Sequence, residues 1–293
     1  MQKIVPFLWF NNQAEEAVNF YTAIFKNGKI GAITRYKEGM PLPEGAVMTV
    51  DFQIAGQDFG ALNGGPEFNF TPAVSFFVYC ETREEIDTLW KNLLEGGEVL
   101  MELDEYPFSE RYGWVMDRYG VSWQLSLARV PQKIAYSLLF VDDLNGKAEE
   151  AVNFYVSKFS DAKINLIDRY TAEDGEREGN VRFASFQLEG QEFSAMDGGG
   201  GHNFTFTHAI SFMVKCDGQK EVDYFWDNLS QGGETEPCGW LRDQFGVSWQ
   251  VVPTILYDLL NDPDERRAKQ VMNALLQMEK IDIAQLQEAR ELA

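Results

Sequence analysis

The chain has 293 residues, of which 45% are apolar and 14% aromatic, enough apolar material for about two packed domains and too much for a disordered chain. Its 46 acidic and 25 basic side chains give a formal charge of −21, which repels nucleic acid and anionic lipid and excludes both as expected partners. No apolar run reaches the roughly 18–20 residues of a membrane-crossing helix. The start does not read as a signal peptide, and three cysteines without CxxC spacing fit a reducing compartment, so the expected location is cytoplasmic.

In chain order, "KIVPFLWF" (3–10) reads as a strand by its aromatic and β-branched content. "AEEAVNFY" (14–21) opens a helix in which Ala14, Ala17, Val18, Tyr21 and Phe25 share one stripe, with Glu15, Glu16 and Asn19 outward. The aromatics of that stripe read as packing. "AVMTVDFQI" (46–54) and "QDFGAL" (57–62) are strands around an Ala55-Gly56 turn. "AVSFFVY" (73–79) is a further strand, after which Thr82 and Glu85 have capping-box spacing. The helix they open points Ile86, Leu89, Trp90 and Leu93 inward and stops at Gly96-Gly97. A hairpin bending at "DRYG" (117–120) ends in a strand with Val121, Trp123 and Leu125 on one face and Ser122, Gln124 and Ser126 on the other.

The series then recurs. "AEEAVNFY" returns at 148–155, "FQIAGQDF" (52–59) as "FQLEGQEF" (186–193), "LWKNLLEGGE" (89–98) as "FWDNLSQGGE" (225–234), and "GWVMDRYGVSWQ" (113–124) as "GWLRDQFGVSWQ" (239–250). The second copy gains "VDDLNGK" before its first helix, and the first gains about ten residues around "MELDEYPFSER". Residues 1–130 and 131–253 therefore read as two copies of one α+β domain, each made of paired βαβββ modules. Residues 254–293 form a helical tail whose Val271, Leu275 and Met278 stripe needs a partner surface, by default copy two, with another chain as the alternative. A sheet covered by helices on one face must offer its other face to a partner sheet or a cavity.

Strand alternation singles out the candidate site. Phe52, Ile54, Phe186 and Leu188 share one face, opposite Gln53 and Gln187; Trp123 and Trp249 likewise stand opposite Gln124 and Gln250. If the apolar face meets the helices, the four glutamines line the concave side; Ser75 and Ser211 lie on the mid-domain strands with their facing unassigned, and Trp114 and Trp240 either wall the pocket or pack in the core. Such a lining suits a neutral or mildly polar organic molecule; the alternative is that these groups face solvent or satisfy the backbone. His202 and His208, in "GGGGHNFTFTH" (198–208), and Cys238 are either an unconventional site or ordinary loop and strand-edge residues. Asp51 and Asp197 are either pocket carboxylates or ordinary surface and turn acids. "DGGGGHNF" (197–204) opens no helix and lacks the phosphate-loop pattern, and two clustered histidines support no catalytic triad, so the catalytic residues stay unassigned.

The N-terminal strand followed by "AEEAVNFY", the "SFFV" and "SFMV" strands, the "LWxxLxxGGE" helix end and "D-x-[YF]-G-V-S-W-Q" together resemble the vicinal oxygen chelate superfamily of glyoxalase I, extradiol dioxygenases and bleomycin-resistance proteins. Within it the chain is similar to the PhnB-like branch, often labelled 3-demethylubiquinone 3-methyltransferase. The resemblance implies tandem glyoxalase-like domains around a small-molecule cavity. Single-domain relatives pair two chains, so a monomeric pseudo-dimer or weak homodimer is expected. Metal-using relatives draw ligands from set strand positions, which fall here on Pro6 and Tyr136, near Ala73 and Ala209, on Gln124 and Gln250, and among Thr49, Asp51 and Gln53 or Phe183, Ser185 and Gln187. No cofactor is predicted from that set, with a divalent metal at an untypical site as the alternative. The common methyltransferases use a Rossmann-like unit with a glycine-rich first turn, which is not found. The expected function is binding of a small organic molecule without a metal; the alternative is an isomerase or lyase of the same superfamily, metal-dependent or not.

Overall fold

Four βαβββ modules follow one another, and the computed structural model describes the chain over residues 2–37 and 42–292. The first comprises β1 (Ile4–Phe10), α1 (Ala14–Ile24), β2 (Lys29–Arg35), β3 (Val47–Ile54) and β4 (Gln57–Asn63). The second comprises β5 (Val74–Cys80), α2 (Arg83–Leu94), β6 (Glu98–Tyr106), β7 (Ser109–Met116) and β8 (Ser122–Leu127). In the second copy these recur as β9 (Lys133–Val141), α3 (Ala148–Lys158), β10 (Ala162–Arg169), β11 (Val181–Leu188) and β12 (Gln191–Gly199), then β13 (Ile210–Cys216), α4 (Gln219–Leu229), β14 (Glu234–Thr235), β15 (Trp240–Arg242) and β16 (Ser248–Pro253). The tail adds α5 (Ile255–Leu260), α6 (Glu265–Leu275) and α7 (Ile283–Glu291). This is the expected α+β architecture of duplicated paired modules with a helical tail. No described helix is long and apolar enough to cross a membrane.

The chain divides into two compact units, Pro6–Ile210 and Met1–Val5 with Ser211–Ala293. The larger holds an eight-stranded sheet in the order β10-β11-β12-β9-β5-β8-β7-β6. At its centre β5 pairs parallel with β8 and antiparallel with β9. Strands β5–β8 belong to the first copy and β9–β12 to the second, so this sheet is shared between copies. The helix-side core instead joins modules of one copy: Tyr21 and Phe25, at the end of α1, pack on Trp123 of β8 with ring centroids 5.3 and 4.8 Å apart. The same unit carries β1-β4-β3-β2, with β1 and β4 parallel. The smaller unit carries β14-β15-β16-β13, α4 and the tail.

The sequence explains the elements locally. Helix α1 buries Ala14, Ala17, Val18 and Tyr21, as its stripe predicts. Gln13 gives it no side-chain cap; Asn63 at the end of β4 accepts from Ala14 N at 2.8 Å instead. At α3 the same task falls to Asp197 of β12, which accepts from Gly146 N (2.8 Å), Ala148 N (3.1 Å) and Val181 N (2.8 Å). Helix α2 is capped by Thr82, which accepts from Glu85 N at 3.2 Å, while the Glu85 carboxylate reaches back to Glu81 N rather than to Thr82. Ala55 and Gly56 (φ 50° and 77°) make the two-residue turn with both φ positive that matches strand twist.

The tail docks as expected: Val271, Leu275 and Met278 are buried, and Met278 O and Glu279 O accept from Cys238 N (2.7 Å) and Gly239 N (2.8 Å). These bonds fall where the second copy's hairpin is cut to strands of two and three residues, against nine and eight in the first copy.

Candidate functional site

On the eight-stranded sheet one face carries a continuous buried aromatic core. Phe76, Trp123, Tyr136, Phe186 and Phe193 are all fully buried there, with rings such as Phe76 and Trp123 5.0 Å apart. Alternation then sends Gln124 to the other face, as predicted. Its amide is held at both ends. Tyr112 Oη donates to Oε1 at 2.6 Å, and Nε2 donates to Ser75 Oγ at 2.7 Å, with Ser137 Oγ at 3.4 Å. Burial pushes the Tyr112 phenol well above its ordinary value, so it remains a donor and fixes which end of the amide it meets.

From this amide a row of small hydroxyls crosses the sheet. Ser75 stands opposite Ser137, Ser137 opposite Ser194, and Ser194 opposite Ser185, on four adjacent strands. Ser75, Ser137 and Ser194 are each 1% exposed, and Ser194 Oγ has no hydrogen-bond partner. Buried hydroxyls are normally paired, and leaving one unpaired costs about 1–3 kcal/mol. Trp114 stands opposite Gln124 on β7, half-buried, with its indole N–H donating to Ser122 Oγ at 2.7 Å. The face thus joins a fixed amide, a hydroxyl row and aromatic walls.

The remaining sequence candidates are placed as follows. Gln187 lies on β11 two residues from Ser185, on the same face and half-buried. Gln53 lies on β3, where its amide donates to Asp58 at 3.1 Å. In the smaller unit Gln250 donates to Ser211 Oγ at 2.9 Å, Trp240 stands opposite Gln250, and Ser248 Oγ is buried without a partner. Cys238 sits in a 3-10 turn with φ 64°, its thiol donating to Leu275 O at 3.6 Å, and burial raises its pKa. His202 and His208 belong to the larger unit: His202 Nε2 lies 3.2 Å from Gly198 O, and His208 stacks on Phe68 at 4.5 Å. The His202 loop and the "VDDLNGK" insertion, with Glu67–Thr71, border a separate cleft of about 630 Å³. Its loops are tied reciprocally, Thr71 Oγ1 to Thr205 O and Thr207 Oγ1 to Asn69 O, each at 2.8 Å. Asp197 serves the fold, through the three backbone N–H groups given above, and Asp51 lies half-buried on β3.

One sequence reading is corrected. Tyr136 does not occupy a position facing the site: it is buried among Phe59, Phe76 and Phe193, and its strand presents Ser137 instead. Ser137 and Ser194, the residues that make the row, escaped the sequence reading, because β9 and the middle of β12 are buried on both faces and alternation gives no contrast there. This donor set does not fit a divalent ion. Its amide and hydroxyls are neutral, and the amide is already engaged by Tyr112 and Ser75. Among the described residues no group of three or more His, Cys, Asp or Glu side chains is arranged so that it could hold a metal ion.

The family described as "3-demethylubiquinone-9 3-methyltransferase" matches the chain twice, over residues 2–126 and 132–252. Among solved structures, the PhnB protein of Bacillus cereus is 50% identical over 43% of this chain and 100% of its own, with a TM-score of 0.42. A protein from Staphylococcus aureus is 35% identical over 43% of this chain and 95% of its own, with a TM-score of 0.19. Glyoxalase I from Zea mays aligns over 83% of this chain and 89% of its own at 10% identity and a TM-score of 0.53, a likeness of fold. No curated protein matches the chain.

Proposed function

The chain belongs to the family described as 3-demethylubiquinone-9 3-methyltransferase, and we propose that it binds a small neutral organic molecule against the hydroxyl row of its eight-stranded sheet, without a metal. The observation that carries this reading is Ser194: a hydroxyl 1% exposed, unpaired, and in line with Ser137 and Ser75 beside the fixed amide of Gln124. Such a face can donate to and accept from a ligand, and the Trp114 indole gives it an apolar wall. It offers no charge, so it favours a flat ligand with one polar edge over an ion.

Methyl transfer, the activity in the family's printed description, rests in the common enzymes on a Rossmann-like unit; the βαβββ modules here give no support to it. An isomerase or lyase needs a group to move a proton. Asp117, whose pKa burial raises, is occupied by the fold, where Tyr21, Trp123 and two backbone N–H groups donate to it. Binding without chemistry is therefore the better-supported reading, by a monomer or weak homodimer in the cytoplasm.

Thermal shift with 4-bromobenzamide, a flat ring with one amide, tests it. The native protein is expected to melt higher in its presence, and Gln124→Leu, which removes the amide and frees Tyr112 and Ser75, to show no such gain. Equal gains in both proteins would place binding elsewhere and overturn the reading.

A further inference from the structure

Each copy contributes a module of the β1–β4 type, and the two differ at the positions that make the hydroxyl row. Where the second copy has Ser137 on its first strand and Ser194 opposite, the first has Phe7 opposite Gly60. The Phe7 ring lies flat on that glycine: a β-carbon added to Gly60 would stand 2.1 Å from Phe7 Cε2. One step along, a β-carbon on Gly64 would stand 2.1 Å from the Trp9 indole. Opposite Gly60 on β3 is Asp51, where the second copy has Ser185. The first copy has thus replaced three neutral hydroxyls by a phenyl ring, a glycine that admits it and a carboxylate.

The modules of the β5–β8 type differ as well. Tyr112, the donor that fixes Gln124, corresponds in the repeat to Cys238, whose thiol turns to Leu275 O in the tail. Gln250 keeps its bond to Ser211, Ser248 Oγ is buried without a partner where Ser122 of the first copy accepts from the Trp114 indole, and the phenol has no counterpart there.

We infer that the chain holds one complete binding face, on β5–β12, and that the pair Ser137 and Ser194 against Phe7 and Gly60 decides which first-strand module can take a ligand. This rests on the proposed function. The duplicated chain is then a one-site protein in which the first module of copy one and the second module of copy two have become scaffold.

The experiment is a crystal soak of the full chain with 4-bromobenzamide at saturating concentration, its bromine located by anomalous scattering. One peak per chain, over Ser137 and Ser194, is expected. The double variant Ser137→Phe with Ser194→Gly transplants a pair that β1 and β4 already accommodate, and is expected to lose the peak; a crystal of it is itself proof of folding. A peak beside Phe7, or beside Ser248 and Gln250, overturns the inference while leaving the proposed function standing, as does a variant that keeps its peak over β5–β12. Absence of any peak in the native crystal overturns both.

Discussion

At the scale of residues, the repeated motifs have one physical centre. The "D-x-[YF]-G-V-S-W" run places Asp117 under its own bend, where Oδ1 accepts from Tyr119 N (2.8 Å) and Val121 N (3.0 Å) and Oδ2 from Trp123 Nε1 (2.8 Å) and Tyr21 Oη (2.7 Å). Asp243 repeats the two backbone bonds and the bond to Trp249. The tyrosine of "AEEAVNFY" is therefore more than packing, since it completes the shell of a buried carboxylate. Tyr21→Phe leaves Asp117 one donor short and is expected to lower stability by about 1–3 kcal/mol, read from urea unfolding at neutral pH. The same pair sets an alkaline limit. Burial, reinforced by the Asp117 charge, raises the Tyr21 phenol well above its ordinary value of 10.0, and burial raises those of Tyr79 and Tyr119 to about 12. Above about pH 10 the unfolded chain loses phenolic protons that the native state retains, so the native state binds more protons and stability falls as pH rises. Urea midpoints should be level up to that pH and fall beyond it, less steeply in Tyr21→Phe. The sequence showed Tyr21 on a buried stripe and Asp117 at a bend; that they meet was hidden, because 96 residues separate them and no local pattern reports such a contact.

At the scale of elements, periodicity revealed whatever has one buried face. Strands β3 and β11 alternate in burial, β8 alternates in residue type with both faces buried, and α1 and α2 bury their predicted stripes except for the half-buried Trp90. Strands β2 and β10 left no such trace, since most of their residues are exposed, apolar ones such as Ile30, Ile33, Ile164 and Leu166 included, and burial selects neither face. The hydroxyl row had half a signal. Gln124 was legible because polar and apolar residue types alternate along β8, whereas the facing of Ser75 was not, and Ser137 lies in the nearly all-apolar run "IAYSLLFV" (134–141), where alternation carries no contrast. Close packing between elements gives a sharper test. Gly60→Ala drives a methyl into the Phe7 ring, which packs over Gly60 of the neighbouring strand β4, and is expected to cost about 1–3 kcal/mol in thermal or urea unfolding. A Gly60→Ala protein as stable as the native one would show that Phe7 does not close this face.

For the whole molecule, the duplication was plain in the sequence but its consequence for pairing was not, because a repeat says which segments are alike and not which edges meet. The copies keep their own helix-side cores, Tyr21 on Trp123 being the example, yet the central strand β5 of copy one takes β9 of copy two as its antiparallel neighbour from Val74 opposite Leu138 to Tyr79 opposite Lys133. The polypeptide between β8 and β9 is five residues, 128–132, and delivers β9 to that edge. Cutting the chain there removes the neighbour and, with it, the Tyr136 ring that packs on Phe59 and Phe76 of copy one. Residues 1–130 alone would then present β5 with one row of backbone N–H and C=O groups unpaired and with Ser75, Phe76 and Val78 uncovered, an edge that recruits another strand. Sedimentation should therefore find the fragment self-associated and the full chain monomeric, because fusion raises the effective concentration of the partner edge on the same polypeptide. A fragment that sediments as a folded monomer would mean that the β5–β9 seam contributes little, and that the hydroxyl row crossing it is held by each copy independently.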